Sequence, residues 1–375
     1  RAAGAMSRIL EAFAAAGVRT FPEVRAFCEA APLCLRVTED GPLYALRYQK
    51  NRSDFRSPVV RQARGIVLEK DTNRIVSWAF DKFYEYGEAA PAHDERPNLR
   101  LSVHDPGVRI ERKYDGVLIK VVKREGGELL VSTNGRIDAA AAPIPEAAGA
   151  ASSADGDLAP AAAAAAAAAG VIAASAEGTG ATLGTGAVAS RAPEAAEAAG
   201  VAARRAPRDF RSAFAEAGGL ALPYRPGLCY AFEMLHPEVP TVVPAGRLGL
   251  VHLTTRRLGS DGDFGELPLE ERFLDGAWTA PPEVVRFASF GACRAAARQL
   301  PWDDEGFVLA DVRGRRVKVK SDAYKAMQRL VVGDSPAPDD DALAVALTLH
   351  AAAAPLPPRA VAPVEGWRRR AEAFA

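Results

Sequence analysis

The feature that most constrains this chain is a stretch that cannot build a core. Residues 139–208 are nearly half alanine, nine of them consecutive from Ala161 to Ala169, and no aromatic residue occurs between Tyr114 and Phe210. Side chains this small bury too little area to offset the entropy lost on ordering the backbone. The stretch therefore reads as an insertion, disordered or transiently helical, and the folded body is expected from the residues on either side of it.

Those flanks have the material. The chain of 375 residues is 49% hydrophobic, enough for a full core. Residues 6–30 place Ile9, Leu10, Phe13 and Val18 at helical spacing, and Phe21-Pro22-Glu23-Val24 opens a second helix. From Leu43 to Val122 the texture changes to short runs of Val, Ile, Tyr and Phe between Gly, Asp-Pro and Asn-Arg punctuation. This predicts antiparallel strands, among them 44–48, 65–68 and 117–122. Beyond the insertion the pattern predicts a helix over 210–217 and strands at 229–235, 248–254 and 306–309. Helical character follows Lys320, with a break near Pro336.

Bulk properties exclude more than they identify. Lysine plus arginine and aspartate plus glutamate both total 47. Net charge thus points to no nucleic acid, membrane or acidic partner, and any phosphate-binding surface must be local. Cys28, Cys34, Cys229 and Cys293 show neither zinc-pair nor disulfide-framework spacing, which suits reduced thiols in a cytoplasmic protein. The five histidines are scattered, against a dedicated transition-metal site. Arg1 to Ala5 reads as a ragged beginning rather than a signal, and Leu158 to Ala176 is too weakly apolar for a membrane helix. No membrane association and no protein partner are expected.

The chemistry-bearing residues begin with Glu111-Arg112-Lys113-Tyr114-Asp115-Gly116, a Lys-x-Asp-Gly string leading into a strand. A lysine that attacks phosphorus must lose its proton, so Lys113 is expected to have a pKa well below the ordinary value of about 10.4. As a bare string it also reads as an ordinary hairpin turn. Arg315 to Lys320 alternates strictly, so Val317 and Val319 face a core while Arg316, Lys318 and Lys320 share the other face. Two ammonium groups roughly 6.6 Å apart along a strand can clamp adjacent phosphates, although a solvated basic edge strand has the same pattern. Glu233 and Glu305 each set a carboxylate against an apolar strand, suited to a ribose hydroxyl and a hydrated Mg²⁺ respectively, or else to a neighbouring lysine or arginine.

In this order the residues resemble the T4 RNA ligase 1 family, within the covalent lysyl-nucleotidyltransferases. Lys113 to Gly116, Phe232-Glu233, Glu305 to Val308 and Val317 to Lys320 look like its motifs I, III, IV and V. Arg64-Gly65, the Phe80 to Glu88 segment with Lys82, and Lys320-Ser321-Asp322-x-Tyr324 are similar to the RNA ligase branch in particular. Asn134 and Arg136 stand where that family has a basic residue before a glycine, and the Asn-Arg pair often found after motif III is missing around His236.

The resemblance implies an α+β fold: an adenylyltransferase domain of ATP-grasp-like ligase type, built on antiparallel sheets with the nucleotide pocket between them. It would occupy residues 1–330, interrupted by 139–208, with a short helical extension over 331–375. ATP and Mg²⁺ are implied, as are RNA partners with 5′-phosphate and 3′-hydroxyl ends. Lys113, Lys318, Lys320 and Asp115 are the implied catalytic residues. Arg64, Lys82, Glu111 and Glu233 join Lys113, Lys318 and Lys320 as nucleotide contacts, and Glu305 with Asp115 would hold the metal. Two alternatives are a catalytically inactive nucleotide or RNA sensor and a DNA ligase or capping-type enzyme. The few residues after Lys320 leave little room for the barrel that the last two normally carry.

Overall fold

The computed structural model describes residues 7–86, 103–144 and 209–332, apart from gaps of one to three residues within them. Nearly all of the alanine-rich stretch and everything after Val332, hence most of the expected C-terminal extension, lie outside the described residues.

Helices begin where short polar side chains can cap free N–H groups. Ser7 caps α1 (Arg8–Ala15), and Thr20 with Glu23 forms a capping box on α2 (Phe21–Glu29). These helices and α3 (Pro58–Gln62) cover one face of a first sheet. It comprises β1 (Arg36–Asp40), β2 (Leu43–Arg47), β3 (Arg64–Glu69) and β4 (Ile75–Ser77), all antiparallel. Tyr44, Leu46, Ile66 and Leu68 meet Ile9, Phe13 and Val24 of the helices in one core.

The second sheet has the order β10-β9-β8-β6-β7. Its members are β6 (Val117–Lys123), β7 (Leu129–Thr133), β8 (Leu228–Leu235), β9 (Gly249–Arg257) and the two-residue β10 (Thr279–Ala280), which alone pairs in parallel. Alternation along the strands divides its faces. Ile119, Val121, Tyr230, Phe232 and Met234 pack beneath α4 (Phe210–Glu216). Leu118, Lys120, Ala231 and Glu233 look the other way.

The third sheet has the order β11-β5-β12-β13, from β5 (Arg109–Arg112), β11 (Val284–Val285), β12 (Gly306–Ala310) and β13 (Arg316–Lys320). Ile110, Phe307, Leu309, Val317 and Val319 pack against Cys293 and Ala297 of α6 (Phe290–Gln299). The alternation expected at 316–320 is therefore present. A last helix, α7 (Asp322–Val332), follows β13, and the short α5 (Leu269–Arg272) lies between β9 and β10.

The α+β class with antiparallel sheets is thus as the sequence implies. α3, α6 and the pairing order of the strands are additions. Among the described residues all four cysteines are free and no helix is long and apolar enough to cross a membrane.

Candidate active site

β5 belongs to the third sheet and β6 to the second, so Lys113-Tyr114-Asp115-Gly116 must cross from one to the other. The Lys113 N–H donates to the Gly306 carbonyl of β12 at 2.8 Å, which pins the crossing. Between the two sheets lies a cleft of about 240 Å³. Lys113, Gly116 and Leu118 line it from the crossing, Glu233 from β8, and Glu111, Val308 and Arg316 from the third sheet. Arg64, Phe80, Phe83 and Asn134 complete the wall nearest the first sheet.

The charged groups at the crossing form a chain. Lys113 Nζ donates to Glu305 Oε2 at 2.8 Å, and Lys320 Nζ lies 3.0 Å from Glu305 Oε1. The Gly116 N–H donates to Glu233 Oε1 at 3.0 Å. The Val243 N–H donates to Asp115 Oδ2 at 2.9 Å, and the Tyr324 hydroxyl bonds the same carboxylate.

Burial sets the protonation of these groups, and their neighbours correct it. Burial alone would lower Lys113, but Glu305, Glu233 and Asp115 outweigh it and hold its pKa above the ordinary lysine value. This corrects the expectation of a depressed nucleophile: three carboxylates stabilise the ammonium more than desolvation destabilises it. Burial raises Glu233, with Glu305 and Asp115 adding to it against Lys113, to about 7. Asp115 is raised by burial and by Glu305. Burial would also raise Glu305, yet Lys113 and Lys320 bring it below the usual carboxylate range.

Of the residues singled out from sequence, Lys113, Glu111, Glu233 and Arg64 line the cleft. Glu305, Lys320 and Asp115 join it through the contacts above. Lys318 and Lys82 do not line it. Lys318 Nζ lies 5.7 Å from the centre of the Phe83 ring, at the cleft's edge. Lys82 Nζ sits among the rings of Tyr84, Phe55 and Tyr48 at 4.9, 5.3 and 5.9 Å. Asn134, expected to stand in for a basic residue, also lines the cleft.

Around Glu111, expected at the nucleotide, stand Arg109, Glu266 and Arg272, to which sequence reasoning gave no site role, and Arg316, which it placed only on a strand face. Glu111 is buried, pairs with Arg109, and is raised by burial against the pull of Arg109 and Arg316. Behind it Glu266 meets Arg316 through both guanidinium nitrogens, one at 2.9 Å, and Arg272 at 3.2 Å. Burial would raise Glu266, but these cations bring it down to about 2. Arg316 also stacks on Phe80, 4.5 Å from its centre. The two-residue alternation that places Lys318 and Lys320 was the available signal for Arg316. Glu266 lies in a loop and had none.

Residues 62–162 match the RNA ligase family model. That range carries Arg64, Lys82, Glu111, Lys113 and Asp115. A bifunctional polynucleotide kinase/RNA ligase of Autographa californica nuclear polyhedrosis virus is 29% identical over 113 residues. The alignment covers 30% of this chain and only 16% of that relative. Two solved archaeal ATP-dependent RNA ligase structures also resemble the chain, both with a TM-score of 0.42. Form 2 is 15% identical, covering 94% of this chain and 81% of that one; form 1 is 14% identical, covering 97% and 83%.

Proposed function

We propose that this chain is an ATP-dependent RNA ligase that stores AMP on Lys113. One observation carries the reading: Lys113, Glu233, Glu305 and Lys320 converge on one cleft from four separate parts of the chain. The RNA ligase match over residues 62–162 contains the lysine and agrees with it. Residues 1–330, interrupted by 139–208, would be the adenylyltransferase domain.

The Lys113 amine attacks the α-phosphorus of ATP, forming an N–P bond as the P–O bond to pyrophosphate breaks. AMP then passes to the 5′-phosphate of an RNA end, which frees the amine. A 3′-hydroxyl attacks the activated phosphate, the phosphodiester forms, and AMP leaves. Glu111 accepts from the adenine amino group, Glu233 from a ribose hydroxyl, and Arg64, Lys318 and Lys320 meet the phosphates. Lys82, which does not line the cleft, would meet the nucleotide or the RNA only from outside that lining.

Lys113 must shed its proton before it attacks, and its carboxylate partners oppose this. Among the described residues no three groups of metal-binding type gather at one point. Mg²⁺ suits such a site, because it takes one or two carboxylates and fills its shell with water and phosphate oxygens. Held by Glu305 and Asp115, it would neutralise the triphosphate and occupy the anions that keep Lys113 protonated.

Incubation with Mg²⁺ and ATP labelled on the α-phosphate should give label on Lys113 that survives alkali and is released by acid, as an N–P bond requires, and none in Lys113→Ala. Adding 5′-phosphorylated RNA should discharge the label into adenylated, then sealed, product. ATP binding without label would favour the sensor reading, and label surviving in the alanine variant would refute the site.

A further inference from the structure

Lys120 is the one lysine among the described residues that is buried, 1% exposed, and the proposed reaction does not use it. It lies on β6 two residues beyond the cleft-lining Leu118, hence on the same face of the strand, one step deeper than the cleft. Its strand partners are Ser132 of β7 and Ala231 of β8. A buried ammonium is a standing penalty on the fold. Burial, with the Arg64 guanidinium adding to it, brings Lys120 down to about 8.

What Lys120 holds is the carbonyl of Gly65. The register of β2 against β3 explains why that oxygen is available. Leu46 pairs with Ile66 and Arg47 with Arg64, so Gly65 is an extra residue on β3, a bulge outside the ladder. Its φ of +74° is open to glycine at little strain, and a side chain there would strike the Asn134 carbonyl at 2.5 Å. Arg64 before the bulge and Asn134 packed against it both line the cleft.

We propose that Lys120 is a positioning residue for the nucleotide: by gripping the bulge carbonyl of Gly65 from below, it sets Arg64 and Asn134 at the cleft wall. This rests on the reading of the cleft as an ATP site. Lys120 touches no substrate and acts through Arg64.

The test is a double-mutant cycle on ATP affinity, measured by calorimetry with thermal unfolding alongside. Lys120→Met removes the grip with little change of volume. It is expected to weaken ATP binding by about tenfold, the value of one hydrogen bond to a charged group, while the unfolding temperature holds or rises. In the Arg64→Ala background the same change should cost less than about twofold, the limit of ordinary additivity. Equal losses in both backgrounds, unchanged affinity, or a lower unfolding temperature with intact ATP binding would each overturn the proposal. Should the methionine variant not fold, Lys120→Gln enters the same cycle with the same expectations. Wild-type protein that binds no ATP would instead sink the functional reading, which keeps the two failures apart.

Discussion

Lys113 and Glu305 lie 192 residues apart in the chain, yet Nζ of the first donates to Oε2 of the second at 2.8 Å. The carboxylate bridges two ammonium groups, since Lys320 lies 3.0 Å from its other oxygen. With Glu233 and Asp115, this contact keeps the Lys113 amine charged.

Glu305→Gln removes the nearest anion from Lys113, so the ammonium loses stabilisation and its pKa must fall. At pH 8 more of the amine is then neutral, and acetylation of Lys113, followed by peptide mass spectrometry, should be faster than in the native protein. Adenylylation should drop by roughly 10²–10³-fold, as for loss of one preorganised electrostatic group. Unchanged acetylation would show that Glu305 does not govern the proton.

Glu233 is raised to about 7, by burial first and by Glu305 and Asp115 after it. A raised carboxyl binds its proton more tightly folded than unfolded. Its contribution to stability is full below the unfolded value near 4.5 and is lost as pH rises through about 7. Glu233→Gln can still accept from the Gly116 N–H, and it should stabilise the ligand-free protein at pH 8 by on the order of 1–3 kcal/mol. At pH 4.5 the gain should vanish. Thermal unfolding at the two pH values decides, and a gain independent of pH would count against the shift.

Gly306 follows Glu305 with φ +120°, and a Cβ there would sit 2.3 Å from the Val319 carbonyl oxygen. Gly306→Ala should cost about 1–3 kcal/mol from backbone conformation alone. It should also move Glu305 away from Lys113, so labelling with α-phosphate-labelled ATP falls in protein that is still folded by circular dichroism. Full labelling would mean that β12 and β13 accommodate the methyl group.

Glu266 is shared by Arg316 and Arg272, all three nearly inaccessible. Glu266→Ala leaves two guanidinium groups buried without their carboxylate and should lower stability by about 3–5 kcal/mol in urea unfolding. The surface pair of Arg74 with Glu69, with the arginine half exposed, is the control. Glu69→Ala should cost within about 1 kcal/mol. Because Glu266 is held near 2, its contribution persists above the unfolded carboxyl value and is lost only as pH falls through that range. Equal losses for the two variants would refute the network's role.

Much of this was legible because the information is local. Strict alternation at Val317 to Lys320 assigns faces to a strand whatever it pairs with, and the same period puts Leu118 and Glu233 on the open face of their sheet. The short string around Lys113 led into a strand as expected, whereas the hairpin turn it also resembled is replaced by a crossing between two sheets. Lys82 is the instructive contrast. Its motif placed it with the nucleotide, whereas the fold seats it among Tyr48, Phe55 and Tyr84 outside the cleft lining. A motif records order along the chain and carries no distance across it.

By itself, the sequence determined the periodic elements and the set of charged residues that face away from the apolar strands. Both follow from the repeat lengths of helix and strand. Only the tertiary structure decided which charges meet. The proton on Lys113, the pull on Glu266 and the grip of Lys120 on the Gly65 carbonyl arise between residues far apart in the chain. Their energies depend on burial and separation, and neither exists until the sheets close.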